Sequence, residues 1–137
     1  MRYWLVKTEP YKYSWDDFLR DGWTVWDGVR NYQARNNLKS MKIGDRVLFY
    51  HSNKERSVVG IAEVVKEAYQ DPTTSDERWV VVDIKPVQTL RKPVTLERIR
   101  ENPLLRGIAL LRQARLSVMP LTREEFEAIV AAGMGEG

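Results

Sequence analysis

Three runs in the middle of the chain carry apolar residues at the spacing of β-strands. In Arg46 to Ser52, alternation places Val47, Phe49 and His51 on one face and Leu48, Tyr50 and Ser52 on the other. Ser57 to Tyr69 and Trp79 to Leu90 are longer and rich in Val and Ile, and Pro86 bends or ends the regular part of the second. Gly60 lies inside the first of these two, where a glycine marks a bulge, a bend or a close backbone approach. Tyr3 to Lys7 reads as a short strand closed by Pro10, and Arg112 to Met119 as a final strand or extended piece. Asn53 to Arg56 has the length of a hairpin connection, and Gln70 to Glu77 is the clearest loop.

Helical signals flank these strands. Ser14 can cap a short helix, with Asp17 reaching back in a capping box. From Asn31 to Met41 a polar helix sets Tyr32, Arg35 and Lys39 near one face and Ala34, Leu38 and Met41 near another. Thr95 starts a short helix that Pro103 stops. Thr122 and Glu125 form a second capping box, with Leu121 stapled onto Phe126 and Gly133 as the C-cap. The order is strand, helices, three long strands, short helix, strand, helix. It predicts one α+β domain over residues 1–137, a curled antiparallel sheet or small barrel with helices outside, and residues 133–137 as a frayed tail.

Composition narrows the chemistry. At 137 residues the chain has the size of one domain and no need of staples. Cysteine is absent, which removes disulfides, thiolate metal sites and a cysteine nucleophile, and His51 is the only histidine. No apolar run approaches the ~18 residues of a membrane span. The first ten residues hold only Trp4-Leu5-Val6 as an apolar stretch, so secretion is not expected. The expected place is the cytoplasm, at the nucleoid in a prokaryote, or the nucleus in a eukaryote. The net charge of +3 is small but uneven. Val25 to Gly60 carries a net +4 and Arg98 to Arg123 a net +5, so two basic segments can build one face toward a polyanion.

Catalytic patterns are weak. Asp16-Asp17 and Glu124-Glu125 fit helix starts, where acids meet the dipole. His51 and Ser52 point to opposite faces of a strand and cannot pair. There is no phosphate-binding glycine loop and no metal-ligand spacing, so neither enzyme activity, cofactor nor metal is expected. The sharper feature is Trp26-Asp27-Gly28-Val29-Arg30-Asn31-Tyr32-Gln33-Ala34-Arg35-Asn36-Asn37-Leu38. A site that reads a nucleobase needs flat faces to sandwich the ring, amides and carboxylates for its edge, and cations for flanking phosphates. This segment supplies all three, although Trp26 in the core and Gly28 at a turn explain it equally. His51, at the end of its strand, lies at the mouth of a barrel, as a structural residue or as a pocket wall.

The same block, together with Lys7-Thr8-Glu9-Pro10, Gly44-Asp45, Phe49-Tyr50-His51-Ser52-Asn53, Gly60-Ile61-Ala62, Glu67-Ala68-Tyr69 and Arg115-Leu116-Ser117-Val118, resembles the EVE-domain family from Tyr3 to about Ile129. The resemblance implies a PUA-like β-barrel with flanking helices, related to YTH domains, which enclose N6-methyladenine in an aromatic-walled pocket. It implies a non-catalytic reader of a modified base in DNA or RNA, with 5-methylcytosine and its oxidised forms among the proposed ligands, and the residues suit a modified or flipped base. Lys7, Thr8 and Glu9 correspond to the strand end that lines the pocket. Trp26 matches the cage tryptophan, and Asp27-Gly28 the small turn that meets the base edge. Arg115-Leu116-Ser117 matches the segment that meets the nucleic-acid backbone. The common form of the first motif has Ser where this chain has Thr8. On this reading Asp27, Asn31, Thr8 and Glu9 contribute edge contacts, His51 closes the pocket, and Lys7, Arg30, Arg35 and Arg115 serve phosphates. The second aromatic wall is Tyr32, Tyr69 or Trp79. Two other occupations fit the same residues: a free modified nucleoside or metabolite, and a base attacked by a glycosylase with Asp27 or Glu9 as its carboxylate.

Overall fold

The computed structural model describes residues 1–135. Glu136 and Gly137, the end of the tail expected to fray, lie outside the described residues. The chain runs β1 (Tyr3–Thr8), α1 (Trp15–Asp21), β2 (Thr24–Val25), α2 (Tyr32–Ser40), β3 (Arg46–His51), β4 (Ser57–Gln70), β5 (Val80–Thr95), α3 (Leu96–Glu101), a 3-10 turn (Pro103–Leu105), α4 (Ala109–Arg112), β6 (Val118–Leu121) and α5 (Arg123–Gly133). Six strands form one sheet in the order β2-β5-β4-β3-β1-β6. The α+β class is as expected, with a difference in the sheet. β1 pairs with β3 in parallel, because α1, β2 and α2 intervene and give the chain room to cross over. The hydrogen-bonded order has two ends, at β2 and β6, so the sheet curls without closing.

Curvature comes from the long β4–β5 pair, whose register shifts four times along its length. Pro86 does not end β5. It pairs with Ala62 beside one of these shifts, where a missing N–H is tolerated, and the strand continues to Thr95. Gly60 is a close approach: a Cβ there would stand 2.3 Å from the Trp15 ring. The indole of Trp15 lies against that backbone and donates from Nε1 to Thr89 Oγ1 at 2.8 Å. Around it Phe18 stacks on Phe49 at 5.3 Å, and Trp15 and Trp26 meet Phe49 edge-on.

Both capping boxes form, Ser14 with Asp17 and Thr122 with Glu125. Two expectations at the C-terminal end are corrected. Arg112 to Met119 is not a continuous strand. Arg112 ends α4, a turn closes with Leu116 N–H to the Gln113 carbonyl at 3.0 Å, and β6 begins only at Val118. Leu110 is buried from α4 and Leu116 from that turn, rather than by alternation. Gly133 is not the C-cap either. It is the last residue of α5, and Met134 caps the helix through Val130. Gly133 is glycine because a Cβ would lie 2.6 Å from Leu90 on β5.

Candidate nucleic-acid interface

The ends of β1 and β2 and the approach to β6 converge on one hollow of about 540 Å3. That lies within the 300–1,000 Å3 of ordinary ligand sites. Lys7 and Thr8 come from β1, Trp26, Asp27, Gly28 and Arg30 from the segment after β2, and Ser117 from the lead into β6. These are seven of the residues singled out from the sequence, and the backbone explains their meeting. Lys7 N–H donates to the Ser117 carbonyl at 2.9 Å, and Trp26 N–H to the Val82 carbonyl at 2.8 Å. Trp26 is 8% exposed. It packs against Phe49 and also lines the hollow, so it is anchored in the core and still borders an opening.

The Trp26–Arg30 segment is held by a residue that sequence reasoning missed. Asp71, in the loop after β4, is completely buried. Its Oδ2 accepts from Gly28 N–H at 3.0 Å and from Arg30 Nη1 at 2.9 Å. Its Oδ1 accepts from the amide and hydroxyl of Thr73 at 2.7 and 2.6 Å. Burial pushes the carboxyl upward, but the bonds from Thr73, Arg30 and Gly28 outweigh it and bring it down to about 2. Two expectations change as a result. The Gly28 N–H is spent on Asp71 and is not offered to a base edge. Arg30 is tied to Asp71 and to the Val29 carbonyl, so it serves first as a fixed wall of the hollow. Gly28 has φ +78, which explains the glycine in open space.

Lys7 is half-buried, and burial lowers its pKa; its Nζ donates to the Ala114 carbonyl at 2.7 Å. The Thr8 hydroxyl donates to the Tyr13 carbonyl at 3.0 Å and keeps its lone pairs for acceptance. That bond positions Tyr13, the other aromatic residue lining the hollow. The second aromatic beside Trp26 is therefore Tyr13. Tyr32 and Trp79 pack on each other at 5.1 Å outside the lining, and Tyr69 donates to Asp83 at 2.6 Å, also outside it. Lys12 and Thr24 complete the polar lining and were not anticipated. Nothing local marks Tyr13: before a helix cap, an aromatic reads as a packing residue.

The remaining candidates fall elsewhere. Asn31 caps α2, accepting from Ala34 N–H at 2.9 Å. Tyr32 and Arg35 belong to a surface cluster: Arg35 lies over the Tyr32 ring, and Arg78 Nη1 donates to the Tyr32 hydroxyl at 2.9 Å. His51 is buried, with Nε2 accepting from Trp15 N–H at 3.0 Å at the start of α1 and Nδ1 bonded to Glu55. It borders the core and not the hollow. Glu9 and Arg115 line an adjoining groove of about 420 Å3, which shares Lys7, Thr8 and Ser117 with the hollow. Among the described residues no His, Cys, Asp and Glu cluster could hold a metal ion, and no helix is long and apolar enough to cross a membrane.

A curled α+β sheet whose strand ends surround a tryptophan-walled hollow is the architecture of a PUA-like domain. The EVE domain profile matches residues 2–132, and the chain belongs to the EVE-domain family. It is 36% identical to thymocyte nuclear protein 1 of Gallus gallus, in an alignment covering 94% of this chain and 67% of that protein. A crystal structure of an Agrobacterium tumefaciens protein superposes with a TM-score of 0.95 at 45% identity, covering 97% of this chain and 93% of that one. The crystal structure of the human THYN1 protein in complex with 5-methylcytosine-containing DNA superposes with a TM-score of 0.89 at 33% identity, covering 97% of this chain and 98% of that one.

Proposed function

We propose that this protein is a non-catalytic nucleic-acid-binding domain whose Trp26 hollow receives one modified base drawn out of its strand. The observation that carries the reading is the position of Trp26, which is braced by Phe49 and borders an opening large enough for a planar heterocycle. The human relative, solved with 5-methylcytosine-containing DNA, supports the ligand class. Trp26 and Tyr13 supply flat faces, Asp27, Thr8 and Ser117 supply edge partners, and Lys7 with Lys12 gives the mouth a positive charge. Glu9 and Arg115 stand in the groove through which the strand would leave. Asp27 is the one carboxylate among the lining residues, and it is solvent-exposed, with no second carboxylate beside it in the hollow to share acid–base work. The relatives' name, thymocyte nuclear protein 1, supports a nuclear place in a eukaryote.

The test is fluorescence anisotropy with matched oligonucleotides, DNA and RNA, single- and double-stranded, carrying cytosine or 5-methylcytosine. Tighter binding of modified strands is expected, with loss of about tenfold or more in Trp26→Ala, since base stacking contributes roughly 1–3 kcal/mol. A folded Trp26→Ala protein with unchanged affinity overturns the stacking role. Equal affinity for the free nucleoside, without salt dependence, turns the site into a small-molecule sensor.

A further inference from the structure

Beyond Lys7 lies a second hollow of about 460 Å3, between the end of β3, the start of α3 and α4. It has a different character from the first. Its floor includes Tyr50, which is 2% exposed and makes no side-chain hydrogen bond among the described residues. Its rim carries Arg56 and Arg100, and Lys7 stands where it meets the first hollow. No carboxylate lines it. Among the described residues none of these three cations forms an ion pair, although the chain holds 19 acids. Glu55 and Glu97 border a smaller hollow on the far side of the same arginines without bonding to them.

The backbone holds this arrangement in place. Arg56 sits at φ +38 and Asn53 at φ +69, a left-handed conformation that an arginine adopts only when its surroundings impose it. The Arg56 carbonyl accepts from Leu96 N–H at 2.9 Å, which pins the hairpin to the start of α3, and about one helical turn brings Arg100 to the same side. Burial raises the Tyr50 phenol, and Arg56 and Arg100 draw it back, so both guanidiniums stand within electrostatic reach of that hydroxyl. Unpaired cations around an unbonded phenol hydroxyl form a site for a tetrahedral anion: guanidinium forks and a phenol all donate, and phosphate oxygens accept.

We propose that this second hollow is a phosphodiester subsite, formed by Tyr50, Arg56 and Arg100 with Lys7, that holds the strand on one side of the base inserted at Trp26. The inference rests on the base-binding reading for its ligand. The groove lined by Lys7, Thr8, Ser52, Asn53, Arg115 and Ser117 connects the two hollows, so a strand leaving the first has a continuous path to the second. Length of strand, and not only identity of one base, then sets affinity.

The experiment measures binding of a 12-mer carrying one central 5-methylcytosine, its unmodified twin, and the free 5-methyl nucleoside 5′-monophosphate, across a salt series. In Arg56→Gln/Arg100→Gln, loss of two phosphate contacts should reduce the salt slope on single strands by about 1.4. The preference for the modified twin should stay unchanged. Tyr50→Phe removes only the hydroxyl and should weaken the 12-mer about tenfold while leaving the monophosphate unaffected. Trp26→Ala should do the reverse, losing the modified-base preference and keeping the slope. A wild-type protein indifferent to modification overturns the base-binding reading alone, and the slope still decides this one. An unchanged slope in the double variant, with the fold intact by circular dichroism, overturns the subsite. So does equal weakening of the free monophosphate, which would place its phosphate, and not a strand's, in the hollow.

Discussion

Replacing Asp71 by Asn tests the device that shapes the site without touching any ligand. The side chain keeps its size, and the two sides of the carboxylate make different demands. Oδ1 receives two donors from Thr73, and Oδ2 receives Gly28 N–H and Arg30 Nη1. An amide has one oxygen, so one side must face donors with an NH2 group. The carboxyl, brought from 3.8 to about 2, represents about 2.4 kcal/mol at 1.36 kcal/mol per pH unit. The Arg30 side chain is 40% exposed, so solvent screening reduces this to roughly 1–2 kcal/mol. Because the folded pKa is depressed, this contribution is complete above the unfolded value near 4 and disappears as pH falls through about 2. Urea denaturation from pH 7 to pH 2 should show Asp71→Asn less stable by about that amount at neutral pH, with the gap closing between pH 4 and 2. The loosened Trp26–Arg30 segment should also weaken oligonucleotide binding in the folded variant. A gap below about 0.5 kcal/mol at pH 7, or one that does not depend on pH over this window, would refute the account.

Three further outcomes are expected. Gly60→Ala drives a methyl into the Trp15 indole and should cost about 1–3 kcal/mol, read as a lowered thermal midpoint, and no change in that midpoint would mean the ring moves freely. His51→Ala leaves the first amide of α1 without its acceptor and should cost about 1–3 kcal/mol in denaturant, with the modified-base preference unaltered; a selective loss of preference would restore His51 to the pocket. Thr122→Ala removes the cap of α5 and should cost about 1 kcal/mol in the same assay, with no effect on binding.

Local chemistry was legible in the sequence, and long-range pairing was not. Ser14 with Asp17, Thr122 with Glu125, Thr95 before α3 and the glycine inside β4 each act within a few residues of chain, and each behaves as its neighbours imply. The parallel pairing of β1 with β3 spans 43 residues, and no strand pattern states a partner's direction. Arg112 to Met119 reads as extended, yet Arg112 ends a helix and Leu116 is buried from a turn, contacts that no local pattern announces. Family resemblance located Lys7, Thr8, Trp26, Asp27, Gly28, Arg30 and Ser117 around one hollow. Asn31, Tyr32 and His51 were chosen for suitable chemistry, but a helix cap, a neighbouring Trp79 and the start of α1 use them. Asp71 and Tyr13 escaped because their roles depend on contacts that only the folded chain makes.

The placement of β1 between β3 and β6 has a consequence for how the molecule is born. Of this sheet, the strand synthesised first gains one flank when β3 emerges, and its other flank stays bare until Val118–Leu121 has been synthesised. The sheet's amino-terminal member is thus completed almost last, and a nascent chain stopped before residue 118 presents Trp4, Leu5 and Val6 along a naked β-edge, the setting in which chains stick to one another.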